Sequence, residues 1–374
     1  MLNAIINTGV LIGTFWQLGE MLKGHADPDK QITISLVTGM APNAGGSIPH
    51  IAVWDREGNR VGQYKGDANG HIDDASTKTI TISPTQNGGH MARPEYVLIV
   101  MQETDAICLS GIIAMGNSAQ WTWTGDLGYT CGAQWYPSKE SLGTSNVPVK
   151  CVWMDKDHTN GIIAKGLSLH MPDFSGDEGL VNQYKQDQRR LCQNTARMTF
   201  QPEPVVPDSL VKIFKPPIEY NDKGGPKRPN QGIDRKTRAY PDGTNMHIHD
   251  TRGSVRVHPK DILSRNSAAV NVQGVKNNMP NLLIVSSING HSAKEVCQDP
   301  NSLGPDFVHT GEKLFCDMET ARTWPVCDGS VTEGCFDLET KSMKNFTPGN
   351  PAVRSVDGRH NVPAKSYQNF EEWK

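Results

Sequence analysis

Aromatic side chains crowd one short stretch of this chain. Trp121, Trp123, Tyr129, Trp135 and Tyr136 fall within 16 residues, and Asp126 lies between them. Flat aromatic faces beside a polar group suit sugar rings and other amphipathic ligands. The same residues also suit a core, because tryptophans near cysteines commonly pack on disulfides in β-sandwiches. Two further groups have metal-like spacing. The segment 155–161, Asp-Lys-Asp-His-Thr-Asn-Gly, offers Asp155, Asp157 and Asn160 as closely spaced oxygen ligands, as calcium loops do. Its glycine comes one place late for an EF-hand and no glutamate follows at the required distance, so an Asx-rich turn is the simpler expectation. His247, His249 and Asp250, with His258 nearby, have donors for zinc or copper, but border a stretch where surface histidines are common.

Catalytic signatures are missing from the sequence. It has no G-x-S-x-G elbow, H-E-x-x-H pair, P-loop or G-x-G-x-x-G. A glycosidase needs two carboxylates flanking a sugar ring, and no spacing among the 40 acidic residues singles out a pair. No catalytic residue is nominated, and the balance leans away from an enzyme.

The cysteines bear on compartment. Cys108, Cys131, Cys151 and Cys192 form one group; Cys297, Cys316, Cys327 and Cys335 form another. There is no C-x-x-C and no zinc-finger spacing, so four disulfides in an oxidising compartment are expected. Pairing within each group leaves nine connectivities, three per group. A sequon at Asn345-Phe346-Thr347 fits the same compartment.

The elements that must position these groups read as short strands and turns. Of 374 residues, 36 are glycine and 24 proline, which favours many turns over long helices. Ile32, Ile34 and Leu36 alternate with polar residues, as do Ile80 and Ile82. Residues 53–64 read as a hairpin. Residues 96–101 are continuously apolar, as in a central strand covered on both faces. Trp121 and Trp123, two apart, share a face. Gly125, Asp126 and Gly128 allow a tight turn before Tyr129. Ser175-x-x-Glu178 and Ser292-x-x-Glu295 are capping boxes for two helices.

These signals predict an all-β fold, or β with a few helices. The layout is an apolar helix at 1–26, an antiparallel β-sandwich at 27–200, a proline-rich basic linker at 201–265 and a small disulfide-stapled lobe at 266–374. Residues 2–19 carry no charge. A packed amphipathic helix suits them better than a signal peptide, which needs a basic start, or a membrane span, which their two Asn and one Gln weaken. The formal charge of −3 gives no reason to expect nucleic acid.

Several of these stretches together resemble a family of uncharacterised, cysteine-containing secreted proteins of filamentous fungi. They are Asp105–Cys108, Trp123–Asp126 with Cys131–Tyr136, Cys151–Asp155 with His158–Gly161, and His291–Glu295 with Gly304–Val308 and Phe315–Met318. The resemblance spans about two thirds of the chain and implies secretion and paired cysteines, but no activity. The leading expectation is a secreted, non-catalytic binding protein for an extracellular ligand, with cell-wall or host-surface glycan the first choice. The ligand face would comprise Trp121, Trp123, Asp126, Tyr129, Trp135 and Tyr136. No cofactor is expected unless calcium binds at 155–160. The alternatives are a secreted hydrolase or cyclase, and a membrane-active or effector-type protein using residues 2–23.

Overall fold

The computed structural model describes residues 31–85, 93–116, 119–142, 147–186, 191, 196–202, 204–220, 227, 276–345 and 362–374. The expected N-terminal helix, the His247–His258 group, Cys192 and most of the linker lie outside them. The chain divides into two compact units, Met1–Val272 and Gln273–Lys374.

Unit 1 is a sandwich of two antiparallel sheets. The first runs β10 (Trp135–Pro137), β11 (Lys150–Met154), β8 (Ile107–Gly116), β1 (Ile32–Thr38), β6 (Thr77–Ile82), and β9 (Ala119–Thr124) also pairs with β8. The second runs β13 (Met198–Gln201), β12 (Gly166–His170), β7 (Tyr96–Val100), β3 (His50–Trp54), β4 (Arg60–Tyr64). A two-stranded ribbon joins β2 (Gly46–Ser47) to β5 (His71–Ile72). Alternation along the strands builds the core: Ile32, Ile34, Leu36, Ile80 and Leu109 from one sheet bury with Ile51, Val53, Val97, Ile99 and Leu167 from the other.

Strand β7 explains its unbroken apolar run. Val97 and Ile99 face the inter-sheet core, while Tyr96, Leu98 and Val100 face outward into a second cluster. Val205, Val211, Phe214 and Ile218, from the stretch assigned to the linker, belong to that second cluster. Residues 204–220 are therefore a strap over the outer face of the second sheet. The 53–64 hairpin is present as β3–β4, its turn closed by Asp55 Oδ1, which accepts from the N–H groups of Glu57 and Asn59.

Two local expectations change. The turn after β9 is a short helix, α1 (Gly125–Thr130). Its first residue must be glycine, because a Cβ there would lie 2.0 Å from the Lys150 carbonyl oxygen. Helix α2 (Glu178–Gln186) is capped by Asp177, whose Oδ1 takes the Gly179 N–H at 2.7 Å, rather than by Ser175.

Unit 2 holds a five-stranded sheet ordered β17 (Arg322–Pro325), β16 (Leu314–Asp317), β15 (Asp306–His309), β14 (Leu282–Ser286), β20 (Asn369–Trp373). Strand β14 runs parallel to both neighbours, and α3 (Ala293–Gln298) makes the crossover from β14 to β15. The Ser292 hydroxyl caps α3 by accepting the Glu295 N–H at 3.0 Å, as its capping box predicts. The β16–β17 turn and the β18 (Cys335–Asp337) to β19 (Ser342–Lys344) turn repeat one sequence, Asp-x-Glu-Thr. In both, the aspartate accepts the glutamate N–H, and a left-handed residue, Ala321 or Lys341, follows. Phe315 and Phe336 from the two hairpins stack at 4.4 Å.

Candidate functional site

Among the described residues, bridges with both partners placed are Cys108–Cys151, Cys297–Cys316 and Cys327–Cys335, each within one cysteine group. Cys131 is also disulfide-bonded. Cys108–Cys151 ties β8 to β11 inside the aromatic region. A Cβ at Gly39 would come within 2.8 Å of Cys151 Cβ, so the chain passes against this bridge.

The aromatic residues do come together, but mostly inward. Trp121 and Trp123 are 3% and 2% exposed in the inter-sheet core, and the Trp123 indole N–H donates to Met198 Sδ at 3.2 Å. Trp135, Tyr136 and Asp126 are also buried. Helix α1 seals the sandwich end: a Cβ at Gly128 would touch Val152 and Trp123 of one sheet and Phe200 of the other. Tyr129 alone of the five rings is half-exposed. Its ring meets Trp135 edge-on at 4.8 Å, and the Lys150 ammonium lies 4.5 Å from the Tyr129 ring and 5.1 Å from that of Trp135.

The Asp155 loop follows β11. Gln134, just before β10, braces it: its amide donates to the Gly161 carbonyl at 2.7 Å and accepts the Ile163 N–H at 2.6 Å. Asp155 is buried and accepts the Thr159 hydroxyl at 2.7 Å. Burial pushes the Asp155 carboxyl above its ordinary range; Asp157, which hydrogen-bonds with it, is held below. Asn160 is exposed at the loop tip with φ 54°. Among the described residues no group of three His, Cys, Asp or Glu is placed to hold a metal.

A second polar centre escapes a reading of the sequence. His170 ends β12 on the outer face of the second sheet, under the strap. Its Nδ1 lies 2.8 Å from Asp173 Oδ2 and its Nε2 3.4 Å from Glu95 Oε2. Asp173 also meets Arg197 Nε at 2.9 Å and accepts the hydroxyls of Tyr184 and Tyr220 at 2.9 and 3.0 Å. Burial opposes charge on Asp173, but Arg197 and His170 outweigh it and hold the carboxyl well below its usual range. Burial likewise lowers the His170 pKa, and Asp173 and Glu95 reverse this into a net rise. The cluster balances two acids against two bases and pins α2 and the strap to the sheet. Its only local signature is His-x-x-Asp at 170–173.

Unit 2 has its own buried charge centre. Lys365 Nζ lies 3.2 Å from Asp306, 3.2 Å from Asp317 and 3.0 Å from Glu319, and Tyr367 donates to Asp306. Lys276 Nζ donates to the Cys297 carbonyl at the end of α3, and burial lowers its pKa to about 8. Lys365 thus fastens its segment to the sheet, and Lys276 fastens its own to helix α3.

Among the described residues no helix is long and apolar enough to cross a membrane. No family model matches the chain, and no curated protein matches its sequence.

Proposed function

We propose that this chain is a secreted, non-catalytic binding protein whose ligand is an extracellular glycan of a cell wall or host surface. The supporting observation is the meeting of Tyr129, Trp135 and Lys150 at the outer end of the aromatic cluster. A half-exposed tyrosine backed by a buried indole is a rigid apolar platform, and the lysine beside it supplies donors for sugar hydroxyls. Trp121, Trp123, Trp135, Tyr136 and Asp126 act behind it as the packing that fixes its position. The disulfides fit an oxidising compartment. Asn345 is exposed just after β19, where a glycan could be attached.

The test is co-sedimentation of the oxidised protein with chitin, β-glucan, cellulose and whole cell walls. The parent is expected to bind at least one of them. Tyr129→Ala should fold and bind that material about tenfold more weakly, a loss near 1.4 kcal/mol. Full binding by Tyr129→Ala would place the ligand elsewhere, and no binding to any of the four would sink the glycan reading.

A further inference from the structure

Strands β15 and β16 and the segment leading into β20 bring an amine and two carboxyls together out of water. The Lys365 side chain is 12% exposed, and those of Asp306 and Asp317 are fully buried. Lys365 Nζ lies 3.2 Å from Asp306 Oδ2 and 3.2 Å from Asp317 Oδ1. Asp306 and Lys365 are 59 positions apart in sequence. The Cys297–Cys316 and Cys327–Cys335 bridges leave residues 362–374 untied.

Asp306 is arranged as an electrophile. Its Oδ1 accepts the Met318 N–H at 2.6 Å, and its Oδ2 accepts the Tyr367 hydroxyl. The Tyr367 ring packs against the buried rings of Phe315 and Phe336, at 6.3 and 6.1 Å. Burial pushes the Asp306 carboxyl above its usual range, towards the neutral acid that an amine can attack. Burial also opposes charge on Lys365, but Asp306, Glu319 and Asp317 outweigh it and favour the ammonium. The amine must therefore lose a proton before it reacts, and Asp317 is in place to take it. Asp317 is itself held still, its Oδ1 accepting the Glu319 N–H at 3.1 Å and its Oδ2 the Thr320 hydroxyl at 2.6 Å.

We propose that Lys365 and Asp306 condense into an intramolecular isopeptide bond. Asp317 takes one proton from the ammonium, and the freed amine attacks Asp306 Cγ, which Nζ already adjoins. As the C–N bond forms, negative charge gathers on Oδ1, where the Met318 N–H is aimed. The nitrogen's second proton goes to Oδ2, which already carries the acid proton. The Cγ–Oδ2 bond then breaks and Oδ2 leaves as water. One ammonium and one carboxylic acid thus give one amide and one water, with the remaining proton on Asp317. Nothing is oxidised or reduced. The bond ties the β20 segment to β15, and it stands apart from the glycan reading because it needs no ligand.

Peptide mapping by mass spectrometry of the whole purified protein, reduced, alkylated and digested with trypsin, tests this directly. The parent should yield residues 295–313 joined to residues 360–374, at their summed mass less one water, with no cleavage after Lys365. Fragmentation should place the link between Asp306 and Lys365. Lys365→Arg keeps the charge but removes the nucleophile, so residues 295–313 should be released unlinked at full mass. Asp317→Asn keeps the shape but takes no proton, so the bond should form about 100-fold more slowly and freshly made protein should contain unlinked chains. Cleavage after Lys365 in the parent, with both peptides at full mass, overturns the proposal. A water loss located within either peptide alone overturns it too. Complete linkage in fresh Asp317→Asn would overturn the role given to Asp317.

Discussion

The Nδ1 of His170 stands 2.8 Å from Oδ2 of Asp173, with both side chains shut away from solvent. The imidazole lies between two carboxylates that favour its charged form, with Glu95 at 3.4 Å on its other nitrogen. Arg197, Tyr184 and Tyr220 close the remaining sides of Asp173, and the Tyr96 ring lies 4.6 Å from the imidazole.

This centre gives stability a pH dependence whose sign follows from the two shifts. The folded pKa of His170 lies above its unfolded value of 6.5, so its contribution is complete below about pH 6.5 and is lost as pH rises through the folded value. Asp173 is depressed, so its contribution is complete above about pH 4 and is lost as pH falls through its folded value. Stability from the network is therefore greatest between about pH 4 and 6.5. Between the unfolded and folded values of His170 the loss can reach about 1.4 kcal/mol per pH unit. Urea unfolding of the parent and His170→Gln at several pH values reads this directly. The gap between them should narrow as pH climbs past 6.5, and a gap constant from pH 5 to 9 would contradict a charged His170.

Tyr96→Phe isolates the strap. The Tyr96 hydroxyl accepts the Phe214 N–H at 3.0 Å, which docks residues 204–220 on the sheet. Phenylalanine keeps the ring packing and leaves that buried N–H unmet, at a cost of about 1–3 kcal/mol. Limited proteolysis should then cut within 204–220 faster than in the parent. Equal cleavage rates and equal unfolding midpoints would show that the strap holds without this bond.

What the sequence disclosed, and what it hid, follows from the range of the interactions. Residues 96–100 announced a two-sided central strand because each of its faces meets an apolar partner. Trp121 and Trp123 were correctly placed on one face, but period-2 spacing cannot say whether that face is wet or dry. Here it looks inward, and only Tyr129, carried outward by α1, reaches solvent. The spacing of Asp155, Asp157 and Asn160 was visible as well; the burial of Asp155 was not. The His170 centre was invisible because Glu95 lies 75 positions away and Tyr220 lies in a stretch whose prolines read as linker. Pairing of His170 with Tyr96 across the sheet is what brings Glu95 near.

Three substitutions around α1 separate platform from packing. Trp123→Ala should cost about 3–5 kcal/mol, as for other buried tryptophans. Gly125→Ala pushes a methyl group against the Lys150 carbonyl, which is backbone and cannot swing away, so a cost of about 1–3 kcal/mol or more is expected. Tyr129→Ala removes a half-exposed ring that meets Trp135 edge-on, a contact worth about 0.5–1.5 kcal/mol beyond area burial, and with it the Lys150 contact. Chemical denaturation should rank the losses in that order. A Trp123→Ala protein as stable as the parent would overturn the inward assignment of the aromatic face.

The three bridges should differ in value by the length of chain each closes. Their sequence separations are 43 for Cys108–Cys151, 19 for Cys297–Cys316 and 8 for Cys327–Cys335. Loop-closure entropy then assigns them about 4, 3 and 2.5 kcal/mol respectively. The middle bridge has a further local role, because α3 is six residues long and such a helix does not stand alone. Cys297 fastens it to β16, with Ala293 and Val296 buried on the same side. Paired Cys→Ala variants, each removing one bridge, should lose stability in the order of separation. Loss of the 297–316 bridge should also speed amide exchange within α3 beyond its effect on the rest of unit 2. The reverse order of losses, or uniform exchange throughout the unit, would mean that native contacts rather than chain entropy set what these bridges contribute.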